Sequence, residues 1–279
     1  MEMQMPSILA RSVGFVLLVC LSGCAALPGG IPVQGLEEDQ VRGAFNEMMV
    51  RQQKCPAGID ADVTLTFNGF MSSGSIKGYL LTFPPAYLRF EGINPLGLTE
   101  NILTTNGRRF DYVLVRQQRV YSGALNGKTQ KYLTPEQAAF MSYWLIGRLP
   151  FNRLTISAVE HGRAEDYWLD MRGAGAGSAQ EPSEGQRYKV LFAPRRGIVL
   201  RYVAVGPGGR RRLDVTYHYP LSKPQAELHP CPVPDQVDIK LDGHDAMSIA
   251  IRVPYPVSYL QRQQFAIKIP KDFERINLP

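Results

Sequence analysis

The sequence predicts a mainly β protein, one large and strongly curved antiparallel sheet or barrel with amphipathic helices over it. Three observations carry this. Apolar residues recur with a period of two in segment after segment, as in Val63-Leu65-Phe67 and Leu213-Val215-Tyr217-Tyr219. Turn signals such as Asn106-Gly107, Asn126-Gly127 and Gly206-Pro207-Gly208-Gly209 separate several of those segments. Helical periodicity is confined to two places. A sheet of about a dozen strands must curl, and its concave face must be filled, either by a packed core or around an apolar pocket.

The first segment is not part of that sheet. Arg11 precedes an apolar run from Val13 to Leu21, far short of the roughly 20 residues that span a bilayer. It reads as the h-region of a secretory signal. Glu2 offsets Arg11, and a start at Met3 or Met5 would remove it. The run ends in Leu21-Ser22-Gly23-Cys24, which resembles the bacterial lipobox. That resemblance implies cleavage before Cys24 and acylation of its thiol. Residues 1–23 are then the signal, 24–35 a lipidated N-terminus with a flexible Pro- and Gly-rich linker, and 36–279 one β-barrel domain. Two or more acyl chains, each CH₂ worth about 0.8 kcal/mol, hold a protein stably at a membrane surface. Ala25 follows the cysteine where an Asp would favour the inner membrane by enterobacterial sorting rules. Its presence points to a periplasm-facing anchor in the outer membrane.

Along the body, Val41, Ala44, Phe45, Met48 and Met49 fall at helical spacing and predict one amphipathic helix. The period then changes to two. Strand candidates follow at Val63 to Phe67 and near 75–83, 86–92, 101–105, 109–115 and 118–123. Thr134-Pro135-Glu136-Gln137 opens a second helix, with an N-cap residue, Pro at the first helical position and Gln at the capping-box position. That helix presents Phe140, Met141, Trp144 and Leu145, and Gly147 can end it. Strand candidates resume near 153–160, 165–171, 187–193 and 198–205, then at Leu213 to Tyr219, Val237 to Leu241, Ile249 to Val253 and Phe265 to Ile269. The Gly-, Ala- and Ser-rich stretch from Gly173 to Gly185 is expected to be a mobile loop.

Of four cysteines, Cys20 leaves with the signal and Cys24 is acylated. Cys55 and Cys231 remain, a disulfide pair in an oxidising compartment or else two buried free thiols. Net charge is +6, with arginines clustered at turns. Outside the cytoplasm this favours anionic headgroups or solubility over nucleic acid. Nothing in the sequence converges as reactive chemistry. The four histidines are scattered, no Gly-x-Ser-x-Gly elbow occurs, and Asp242-Gly243-His244-Asp245 reads as a polar hairpin turn. The expectation is a protein that is not an enzyme and uses no metal or cofactor.

One stretch breaks the strand rhythm. Tyr87-Leu88-Arg89-Phe90 runs into Asn94-Pro95-Leu96-Gly97 and then Thr99-Glu100. The second helix ends Tyr143-Trp144-Leu145-Ile146-Gly147, and a Pro-rich loop precedes the late strands at 237–241 and 248–253. In this order the motifs resemble those of LolB-like outer-membrane lipoprotein receptors, within the LolA/LolB group of lipoprotein carriers, over residues 60 to 255. The resemblance implies an unclosed β-barrel with helices as a lid over a hydrophobic cavity. It implies no reaction, but receipt of acylated lipoproteins or another lipid from a LolA-like periplasmic carrier and transfer to the outer membrane. By the same resemblance Pro95, Leu96 and Gly97 form the membrane-delivery loop, while Phe140, Met141, Trp144 and Leu145 belong to the cavity and its lid. The alternative is an envelope assembly lipoprotein that uses the barrel to hold a protein partner. Two features depart from the family pattern: the stretch 173–185 and an extension from Pro256 to Pro279.

Overall fold

The structure, a computed structural model, describes residues 29–68, 73–125, 141–150, 154–173, 187–206, 211–220 and 231–278. Cys24, the linker up to residue 28, Phe140, the start of the second helix and the stretch 174–186 lie outside them.

Helix α1, Leu36–Gln53, carries Glu37, Glu38 and Asp39 in its first turn and Arg51 in its last, each sign matching the helix dipole. Val41, Phe45, Met48 and Met49 are its buried stripe. Among the described residues fourteen strands follow. The first six are β1 (Gly58–Asn68), β2 (Ser73–Phe83), β3 (Tyr87–Ile93), β4 (Thr99–Asn106), β5 (Arg109–Leu114) and β6 (Arg119–Ala124). A single helical turn, α2 (Met141–Trp144), precedes β7 (Leu154–His161), β8 (Tyr167–Gly173), β9 (Arg187–Ala193) and β10 (Ile198–Val205). Last come β11 (Arg211–His218), β12 (Gln236–Leu241), β13 (His244–Val257) and β14 (Glu274–Leu278).

All fourteen form one curved, unclosed sheet in the order β14-β6-β5-β4-β3-β2-β1-β13-β12-β11-β10-β9-β8-β7. Apart from β14 against β6, neighbours in this order pair antiparallel, and β1 joins the two runs by pairing with β13 over residues 58–67 and 247–257. The inner face is the one that carries both helices. Phe45 of α1 meets Phe192 of β9 edge to face at 5.4 Å, and Arg42 donates to the carbonyl of Ile156 at 3.0 Å. Most of the core therefore lies between α1, residues 144–149 and strands β8 to β13.

Polar turn chemistry sets the hairpins. Asp242 and Gly243 both take positive φ, 48° and 85°, the pair of angles that a two-residue hairpin between β12 and β13 requires. Strand β13 runs on through Pro254 and Pro256 because β12 has ended beside it, so neither missing N–H breaks a ladder.

The expected strand Phe265 to Ile269 is not one. Arg262–Phe265 is a single 3₁₀ turn, 266–270 has no strand pairing, and the strand instead is β14, parallel to β6. The reason is local. Residues 264–266 cross the outer face of β3 and β4, where Thr104 Oγ1 donates to the Phe265 carbonyl at 2.7 Å and Arg89 Nη1 to the carbonyls of Gln264 and Ala266. The Phe265 ring packs against Tyr87 at 5.4 Å. Side chains satisfy this backbone in place of a ladder, and one buried ring holds it down.

Candidate functional site

The hairpin between β3 and β4 is built to expose apolar groups. Asn94 Oδ1 accepts from the backbone N–H of both Leu96 and Leu98, at 2.9 and 3.0 Å. The Asn94 backbone closes the loop, donating to the Leu98 carbonyl and accepting from Gly97 N–H, both at 2.9 Å. Pro95 fixes φ at the second position, and Gly97 takes φ of 80°, which costs a residue without a Cβ nothing. The loop is thus ordered by its own hydrogen bonds, yet Leu96 is 83% exposed and Leu98 63%. Sequence reasoning singled out Leu96 and passed over Leu98; its spacing of two from Leu96 across the glycine was the available signal.

Beneath the loop, the inner face of β1 to β6 is apolar and only half covered. Cross-strand registers align Leu80, Phe90, Leu103, Tyr112, Tyr121 and Ile276 in one row. Leu80 and Phe90 are buried, whereas the four toward the edge are half-buried. Leu65 and Ile76 form a second half-buried pair. The Tyr112 phenol is pushed above its ordinary range by burial and then by neighbouring Tyr121, so it stays a neutral donor. A ligand on this surface meets hydrocarbon with few polar points, the usual make-up of a small-molecule site.

Of the lid residues, Met141 is half-buried, and Trp144 and Leu145 are buried in the main core alongside Ile146 and Leu149. The turn ends as its sequence requires. Arg148 N–H reaches back to the Tyr143 carbonyl at 2.9 Å, and Gly147 takes φ of 71°. A Cβ on Gly147 would lie 2.4 Å from the Tyr219 hydroxyl, so that glycine is also a close-approach position.

Cys55 and Cys231 are joined in a disulfide, tying the end of α1 to the segment before β12. Beside it Arg148 is buried and donates to the carbonyls of Pro56 and Ala57. Burial pulls its guanidinium below the usual range, and among the described residues it has no carboxylate partner. Burial likewise raises the nearby Tyr219 phenol well above its ordinary value. A crevice of about 10 Å³ opens among Met48, Arg51, Cys55, Arg148 and Tyr219, room for one water.

His218 Nε2 and Ser248 Oγ engage the two oxygens of one carboxylate, Asp238, at 2.7 and 2.6 Å. Among the described residues no three His, Cys, Asp or Glu side chains converge as a metal-binding group, and no helix is long and apolar enough to cross a membrane.

No family model matches the sequence, and no curated relative matches it. Solved structures do resemble it. A domain of the outer membrane lipoprotein-sorting type from Vibrio parahaemolyticus shares 11% identity and a TM-score of 0.51, over 80% of this chain and 94% of that one. A DUF1329 family protein from Desulfovibrio piger gives 11% and 0.50, over 81% and 97%. A LolA superfamily protein from Nitrosomonas europaea gives 8% and 0.49, over 80% and 97%. At such identities the likeness is one of fold alone.

Proposed function

We propose that this protein is an envelope lipoprotein that holds acyl chains against the inner face of β1 to β6 and releases them to a membrane at the Asn94–Leu98 loop. The observation that carries the reading is the pair Leu96 and Leu98, held out from the sheet by hydrogen bonds at the rim of a half-covered apolar surface. Full burial of a leucine is worth about 1.5–3 kcal/mol, and beside a membrane the nearest phase that offers it is the acyl layer. The fold shared with a lipoprotein-sorting type of domain supports the same reading. In its fullest form the client is an acylated lipoprotein, or another lipid, received from a LolA-like periplasmic carrier. The chain, anchored through acylated Cys24, passes that client to the outer membrane as a LolB-like receptor would, with no chemical step and no cofactor.

The test is Leu96→Glu. The variant is expected to fold with a stability change under about 0.5 kcal/mol, as exposed positions do, and to retain bound lipid. Transfer of that lipid to liposomes should fall at least tenfold. Transfer at the wild-type rate would remove the loop from the mechanism.

A second reading has its own observation. Tyr79, Val253, Tyr255 and Tyr259 are each more than half exposed, with Tyr79 and Tyr255 on the outer face of the sheet. An assembly lipoprotein would use such a surface to hold a protein partner. Mass spectrometry of lipid extracted from the purified protein separates the two readings, since only the first requires co-purified lipid.

A further inference from the structure

Strand β4 places on the inner face one polar side chain, Asn101, that no described residue engages. Asn101 is 7% exposed, yet its carboxamide makes no hydrogen bond with any described residue. Thr82 Oγ1, also unpaired on this face, is sealed from solvent; the Asn101 amide is not.

The position of that amide is fixed. Asn101 lies opposite Gly92 in the β3–β4 ladder. A Cβ on Gly92 would fall 2.5 Å from Asn101 Oδ1 and 2.8 Å from Nδ2, so the amide lies flat on the β3 backbone where only glycine leaves room. One inner-face step down β4 is half-buried Leu103, opposite Phe90. Above it the ladder shifts register, and Thr99 opens the strand opposite Ile93, below exposed Leu98 and Leu96. The amide thus stands between the apolar lining and the rim. A lipid whose chains lie along the lining would bring the junction of chain and headgroup to that level.

A neutral carboxamide offers two N–H donors and a carbonyl acceptor. It complements an ester or amide carbonyl, while a headgroup phosphate would call for a cation. We propose that Asn101 is a polar anchor selecting lipids whose chains are attached through a carbonyl, with Nδ2 donating to that oxygen. The anchor rests on the reading above, that the inner face of β1 to β6 holds acyl chains. It adds the linkage chemistry of the ligand and the depth at which it seats.

The experiment uses two probes that differ in the carbonyl alone: a phosphatidylglycerol with two tetradecanoyl chains and its ether analogue with two tetradecyl chains. Each is titrated against an apolar fluorescent probe bound to the full protein. The wild type is expected to bind the ester about tenfold more tightly than the ether, the scale of one well-placed hydrogen bond. Asn101→Leu should bind both equally, at the wild-type affinity for the ether. Should leucine lower the melting temperature, Asn101→Ser reports the same loss of preference at a smaller volume. Equal affinities in the wild type, or an ester preference that survives both substitutions, overturns the anchor and leaves the cavity standing. Failure of both lipids to displace the probe overturns the cavity and the anchor together.

Discussion

The two halves of the sheet use the same strand geometry to opposite ends. On β8 to β12 the inner-face residues Leu169, Val190, Phe192, Leu213, Val215 and Val237 are fully buried beneath α1 and the segment 144–149. On β4 to β6 and β14 the corresponding row, Leu103, Tyr112, Tyr121 and Ile276, is half-buried. The first half contributes close-packed stability; the second keeps apolar area available. A continuous sheet lets the packed half hold the open half in shape without covering it.

The sharpest test of this division is a pair of truncations. Phe192→Ala removes a fully buried ring from the packed half and should cost about 3–5 kcal/mol, read as a lowered urea midpoint with unchanged m-value. Leu103→Ala on the open half should cost less than about 2 kcal/mol, because a half-covered side chain leaves a smaller cavity and less lost burial. It should nonetheless weaken binding of an apolar probe more than Phe192→Ala does. If the two exchange roles, the division is drawn in the wrong place.

The smallest effect concerns acid. Burial pushes Asp238 up, but hydrogen bonds from Ser248, Gln236 and His218 outweigh it and hold the carboxyl below the usual carboxylate value. A lowered folded value adds stability above the ordinary carboxylate range, and that stability is lost as pH falls through the folded value, here below about pH 4. Because Asp238 is largely solvent-screened, the contribution is about a few tenths of a kcal/mol. Asp238→Asn should flatten the acid limb of a melting-temperature profile and leave probe binding untouched, since Asp238 faces outward from the packed half.

How much of this the sequence discloses depends on whether a feature is local. Strands β9 and β10 span 187–193 and 198–205 as their period-two patterns indicate, and the stripe Val41, Phe45, Met48 and Met49 marks the buried side of α1. The turn at Asn94–Leu98 is legible because proline and glycine each dictate a backbone angle. What fails is non-local. Phe265-Ala266-Ile267-Lys268-Ile269 alternates whether a ladder or one sheet surface receives it, and only the position of Thr104, Arg89 and Tyr87 decides between them. The pairing of β14 with β6 joins residues some 155 positions apart, Arg119 with Glu274, beyond any periodicity. Asn101 is silent for the same reason. A single Asn in a strand pattern looks like an outward-facing residue until Gly92 is placed beneath it.

An open sheet has two edges, and each is a template on which a foreign strand can add. Here one edge, β7, receives residues 31–33, with Val33 N–H on the Val159 carbonyl and His161 N–H on the Ile31 carbonyl. The other, β6, receives β14, clipped by the Arg119–Glu274 ion pair at 2.8 Å. The new outer edge is only five residues long and carries exposed Glu274 and Arg275, a poor seed for growth. In colloidal terms, these two segments cap the growth points of an unclosed barrel. Proteolytic trimming behind Phe273 would bare the β6 backbone, and the damage would show first as polymers that still contain folded protein.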